Sequence, residues 1–189
     1  MKAIGFVAAC GLAVLVPPAA WADVESGPKA GEKVPALKAF GVAGPVEGKE
    51  ADFAAERKDA PTVYLFVQAE EGGIPVGGRP LARFMKVLDG ELAKADGTAA
   101  VAVWLGDKAL DKHKEYLPRF QTSLKLDKTQ LAAFDGDKSG PNGWGINPDA
   151  HLTVVVAHKA KVVKSFAYTS VNETDVRAVL AELKKATGK

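Results

Sequence analysis

The sequence predicts one α/β domain, a central mixed sheet with helices on both faces, in the order βαβαββα after an N-terminal extended segment. Three observations predict it. The runs Thr62–Val67, Ala99–Leu105 and Leu152–Val156 are almost continuously apolar or β-branched, as strands buried on both faces are. Between and after them, apolar residues recur at helical spacing. The chain has 189 residues, 47% hydrophobic and 25% charged, which is the size and composition of a single globular domain.

That composition excludes a disordered chain, a collagen-like chain and a polytopic membrane protein. Lys and Arg number 25 against 23 Asp and Glu, a net charge of +2. No strong field points to nucleic acid or to an anionic membrane, and neither is expected as a partner. The single cysteine, Cys10, excludes an intrachain disulfide and a Cys-rich zinc site.

Residues 1–22 form a secretory signal peptide by pattern. Met1-Lys2 is a positive start, Ala3–Val16 is apolar, Pro17-Pro18 breaks the run, and Ala20-Trp21-Ala22 fits the small-x-small cleavage rule. Cleavage before Asp23 sends the protein to the periplasm or the cell exterior, removes Cys10 and leaves no membrane anchor. The rival pattern is a lipoprotein box, Val7–Cys10, after a short apolar run. Residues 23–33 are polar and rich in Gly, Pro and Lys, which predicts a loose arm. Residues 34–189 form the domain.

Within the domain, Val34–Val46 holds short extended pieces, and Asp52–Lys58 one or two helical turns ending before Pro61. Strand Thr62–Val67 leads into the glycine-rich loop Gln68–Gly78. A helix over Arg79–Ala95 follows, with Leu81, Phe84, Met85, Leu88 and Leu92 on one face and Pro80 in its first turn. After strand Ala99–Leu105, Asp107 can cap a helix carrying Leu110, His113, Leu117 and Phe120, which Pro118 is expected to kink or end. Leu131–Phe134 is a short strand, and Asp135–Asp149 a polar loop. Leu152–Val156 and Lys161–Tyr168 form a hairpin across a tight turn at Ala157–Ala160. Asn172 with Asp175 resembles a capping box for the last helix, Glu173–Ala186.

This order resembles the thioredoxin fold, and more narrowly the extracytoplasmic redoxins of the alkyl hydroperoxide reductase/thiol-specific antioxidant group. The residues that carry the likeness are Gly31–Pro35 with Phe40, Gly48-Lys49, Leu65–Val67, Phe134–Asp137 before Trp144–Ile146, and Thr153–Val156 with Lys161–Val163. The resemblance implies a cysteine just after the first core strand, its thiolate held by the following helix N-terminus. Here that stretch reads Glu70, Glu71, Gly72, Gly73, Ile74 and Pro75. The family's cis-proline before the third core strand is also lost, and His151 stands in its place, with Pro148 three residues earlier.

Both active-site marks are gone while the core pattern survives. The expected function is therefore a redox-inert domain that binds a protein or peptide across Glu70–Arg79 and Trp144–His151. No cofactor or metal is expected. The alternatives are a redoxin-family oxidoreductase, assisting a cysteine-bearing partner or keeping Cys10 if the signal is not cut, or a non-thiol enzyme using His151 with Glu70 or Glu71 as acid/base groups or cation ligands. Against the latter, adjacent glutamates rarely address one substrate atom, and no third ligand is evident. His113 and His158 read as structural or exposed. Asp135, Asp137 and Ser139 with Gly140 match half a calcium loop, but position twelve is Ile146 where a glutamate is needed, so a plain turn is expected.

Overall fold

The structure, a computed structural model, describes residues 24–70, 72–106 and 108–188. The signal-peptide pattern, Cys10, Glu71 and Asp107 lie outside these residues. Among them the order is β1 (Lys38–Ala43), β2 (Glu50–Asp52), α1 (Phe53–Arg57), β3 (Thr62–Gln68), α2 (Gly78–Leu92), β4 (Ala99–Leu105), α3 (Leu110–Leu124), β5 (Thr129–Ala133), β6 (Leu152–His158), β7 (Lys161–Tyr168) and α4 (Val176–Thr187). The strands join in one mixed sheet ordered β2-β1-β5-β4-β3-β6-β7. β3 pairs in parallel with β4, and β4 with β5. β3 pairs antiparallel with β6, and β6 with β7.

The apolar runs account for this placement. β3 and β4 are buried at every position and occupy the middle of the sheet. Alternate residues then face two cores. Val63, Leu65, Val67, Ala100, Ala102 and Trp104 meet the apolar sides of α2, α3 and α4. Tyr64, Phe66, Val101, Val103 and Leu105 meet Leu37, Phe53 of α1, Trp144 and Ile146. One face thus carries the long helices; the other carries a short helix and coil.

Three local expectations change. α3 runs through Pro118 to Leu124 instead of kinking or ending there. Pro118 faces solvent, while Leu117 and Phe120 beside it are buried, so core contacts on both sides hold the helix across the missing hydrogen bond. The sequence suggests a loose arm before Val34, yet residues 24–33 are tied down. Gly27 N–H donates to the Gly145 carbonyl, Ser26 Oγ meets Thr153 Oγ1 at 2.6 Å, and Gly31 N–H donates to the Val162 carbonyl. Gly27 is required there: its φ is +91°, and a Cβ would stand 2.9 Å from Ser165 Oγ. The last helix opens with a 3-10 turn, Glu173–Asp175, and the capping box of Asn172 with Asp175 forms.

A buried carboxylate joins α2 to the sheet. Asp89 accepts hydrogen bonds from the Asp127 N–H, the Lys128 N–H and Thr129 Oγ1, at 3.0, 2.9 and 2.8 Å. These fix the entry to β5. Asp89→Ala removes the acceptor and strands those donors, so it should destabilise the domain by roughly 2–4 kcal/mol in urea unfolding. A loss under about 0.5 kcal/mol would show that water replaces the carboxylate at no cost.

Candidate functional site

The site to be built is the end of the sheet where β3 hands the chain to α2. Ala69 N–H donates to the Leu105 carbonyl, extending the β3–β4 ladder by one step. The chain then folds back on itself. Ala69 bridges Pro75, Glu70 N–H donates to the Ile74 carbonyl, Gly73 N–H to the Glu70 carbonyl, and Val76 N–H to the Gln68 carbonyl. The β3–α2 loop is therefore a closed turn with its own hydrogen bonds.

That turn is clamped from below. Trp104 Nε1 of β4 donates to the Gly73 carbonyl at 3.1 Å. Gly73 has φ +80°, and a Cβ on it would meet the Lys112 carbonyl at 3.1 Å and His113 Cδ2 and Tyr116 Cβ at 3.2 Å. On its other side the His113 ring lies against Gly106, whose Cβ would stand 3.2 Å from Cε1 and Nε2. His113 is 0% exposed. Neither of its ring nitrogens has a hydrogen-bond partner among the described residues. Such an orphan costs on the order of 1–3 kcal/mol, and burial pushes the imidazole pKa below its ordinary value.

The residues expected at the site divide. Glu70 is exposed, Gly72 is exposed, Gly73 and Pro75 are buried, and Ile74 remains 51% exposed at the tip. Glu70 does not sit at the N-terminus of α2. The helix begins at Gly78 behind Gly77, with no side-chain cap and no acidic residue in its first turn. Glu71 lies outside the described residues. His151 directly precedes β6, and its carbonyl accepts the Gln68 N–H at 3.1 Å, which places it beside the end of β3. No hydrogen bond or ion pair joins His151 to Glu70 among the described residues, and none of those peptide bonds is cis.

Trp144 requires a correction. Expected on the binding surface, it is 0% exposed. It packs on Tyr64 and Phe66 with ring centroids 5.1 and 4.7 Å apart, and Nε1 donates to the Ala36 carbonyl. The second sheet face has only α1 for a helix, so the 134–150 loop must supply apolar bulk, and Trp144 supplies it. The same loop spends Asp137 internally, Oδ1 accepting from Ser139 N–H and Oγ. Among the described residues no group of three His, Cys, Asp or Glu side chains is placed to hold a metal ion.

Sequence reasoning placed His113 correctly on a buried helix face but missed its position under the degenerate loop. The available signal was small residues, Gly73 and Gly106, on the two segments that close over it. Chemically, the site holds no nucleophile and no paired acid and base among the described residues. It offers a rigid turn with an exposed aliphatic tip.

Known structures share this architecture. A peroxiredoxin-like protein from Aquifex aeolicus aligns over 85% of this chain and 91% of its own, with TM-score 0.53 and 16% identity. A yeast mitochondrial 1-Cys peroxiredoxin covers 85% of this chain and 79% of its own, with TM-score 0.55 and 14% identity. A secreted thiol-disulfide isomerase from Corynebacterium glutamicum covers 80% and 85%, with TM-score 0.55 and 15% identity. No protein-family model matches the sequence, and no curated protein does. The fold is thioredoxin-like, of the α/β class, and the chain carries a single cysteine, Cys10. Among the described residues no helix is long and apolar enough to cross a membrane.

The lowered His113 pKa sets a pH dependence. The unfolded chain takes up a proton near the ordinary value of 6.5, before the folded chain does. Stability should therefore fall as pH drops below about 6.5, and level off below the lowered folded-state value. Urea unfolding of the wild type and His113→Leu across this range checks it, since the variant should lose that component.

Proposed function

We propose that this chain is a redox-inert thioredoxin-like domain, exported to the periplasm or cell exterior, that binds an extended protein or peptide segment over the β3–α2 loop. The observation that carries the proposal is a complete thioredoxin-like fold, from 24 to 188, whose nucleophile position holds a hydrogen-bonded turn without a thiol. The only cysteine, Cys10, precedes the fold and falls within the signal-peptide pattern. The thiolate is the attacking group in disulfide and peroxide chemistry, so a fold without one keeps the surface and loses the reaction.

The rigid turn supports binding as the remaining role. Its Glu70, Gly73 and Val76 N–H groups are already hydrogen-bonded, and Ile74 presents apolar area that a partner can cover at small entropic cost. Glu70 beside it adds a carboxylate that favours a partner with a nearby cation. Export rests on the sequence pattern of residues 1–22.

Two measurements test this. The purified protein should reduce neither peroxide nor a disulfide substrate above a buffer control in the presence of excess dithiol; turnover would contradict inertness. Peptides selected on the wild type from a displayed library should lose at least about tenfold in affinity on Ile74→Asp, with the unfolding midpoint unchanged, since removing an apolar anchor costs over 1 kcal/mol. Peptides that bind both proteins equally would place the binding surface elsewhere.

A further inference from the structure

The buried imidazole under the loop has a consequence of its own. We propose that His113 is a proton-operated latch: on taking up a proton from solvent it releases the β3–α2 loop from α3 and bares the Trp104 indole. The device does not depend on what the bared surface binds.

The geometry points to this residue and this direction of movement. His113 is wholly enclosed, and among the described residues neither ring nitrogen has a partner. A neutral imidazole tolerates that enclosure; an imidazolium, with two N–H donors and a full charge, does not. The surroundings supply no described counter-charge in contact with the ring. From the β3–α2 loop the contact is Gly73, and from the end of β4 it is Gly106. Within α3 the ionisable neighbours are Asp111, Lys112, Lys114, Glu115 and Tyr116; Asp111, Lys112 and Glu115 are exposed, and the Lys114 amine lies over the Phe40 ring. The nearest described ionisable groups on the two loops are Glu70, which is exposed, and Lys108, also exposed. Glu71 and Asp107 lie outside the described residues, and the latch assigns them no part.

Relief is available on the loop side. Between Glu70 and Ile74 the turn holds its own hydrogen bonds, Glu70 N–H to the Ile74 carbonyl and Gly73 N–H to the Glu70 carbonyl, so its tip can swing as a unit about the base that Ala69 and Val76 fix to the sheet. Gly77 and Gly78, with φ +95° and +46°, lie where the turn joins α2 and can absorb the rotation. Among the side-chain hydrogen bonds, Trp104 Nε1 to the Gly73 carbonyl is the one that must break. Opening then gives the imidazolium water and uncovers an indole otherwise 0% exposed. Local openings of this kind occur well below the cost of global unfolding.

The second buried tryptophan provides the control. Trp144 Nε1 donates to the Ala36 carbonyl on the opposite face of the sheet, away from the latch. Hydrogen exchange of both indole N–H groups, followed by NMR on the full-length chain between about pH 8 and about pH 5, separates local from global opening. Global unfolding also takes up the His113 proton, so urea separates the two routes: Trp104 exchange through the latch should be faster than Trp144 exchange and nearly insensitive to low urea, whereas exchange through unfolding accelerates with urea. Corrected for the intrinsic rate of a free indole, Trp104 exchange should rise as pH falls below about 6.5, approaching tenfold per pH unit at its steepest for one proton taken up per opening. In His113→Leu that slope should vanish; if that variant fails to fold, His113→Gln, which cannot titrate, serves. A flat Trp104 rate in the wild type, or the same slope in the variant, overturns the latch. So does Trp104 exchange that matches Trp144 in rate and urea dependence, which would mean that protonation only unfolds the whole domain.

Discussion

The commitment of β3 on both its edges sets the rest of the molecule. Its seven residues pair in register with β4 on one side, and all but the last with β6 on the other. Its side chains divide between two cores. A strand fixed this way delivers the chain to one point, and Ala69 continues the ladder onto Leu105 before the backbone turns. The direction and height of the β3–α2 loop are therefore properties of the sheet. The loop in turn meets Trp104 from β4 and His113 from α3, so these two elements converge on Gly73.

This convergence makes the turn after β3 a structural element. A nucleophilic thiolate needs an open approach and a helix N-terminus aimed at it. Here α2 starts at Gly78 without a side-chain cap, and the preceding residues turn back onto the sheet. A side chain on Gly73 would press on α3 at 3.1–3.2 Å, and its carbonyl is held by an indole. The loop is part of the packed interior at its base and leaves Ile74 exposed at its tip. Among the described residues, both nitrogens of the buried His113 ring lack hydrogen-bond partners, and the ring lies between Gly73 and Gly106.

Much of the fold was legible because its signals are local. The uninterrupted apolar runs identified β3, β4 and β6, the helical spacing identified α2, and Asn172 with Asp175 announced the start of the last helix. Pro118 misled because its cost is local while its compensation, burial of Leu117 and Phe120, is tertiary. Trp144 misled in the same way: glycines and prolines around it mark a loop, and nothing nearby in sequence says that the loop must cover a sheet face. The glycine-rich loop after β3 was legible from its composition. Its closure onto His113 was not legible, because it joins residues forty positions apart through contacts that only the completed sheet creates. The arm at 24–33 was hidden for the same reason, since its anchors are Gly145, Thr153 and Val162.

Gly72 and Gly73 offer the most direct test of the claim that this loop is core structure. Both have left-handed backbone, φ +93° and +80°, so alanine at either position brings a similar strain, about 1–2 kcal/mol. They differ in surroundings: a Cβ on Gly72 meets nothing within 4 Å, whereas one on Gly73 meets α3 at 3.1–3.2 Å. Urea unfolding of Gly72→Ala and Gly73→Ala should separate the packing from the strain. The account predicts that Gly73→Ala costs about 1–3 kcal/mol more than Gly72→Ala. Equal costs would contradict it, because they would mean that the loop does not rest on α3 at all.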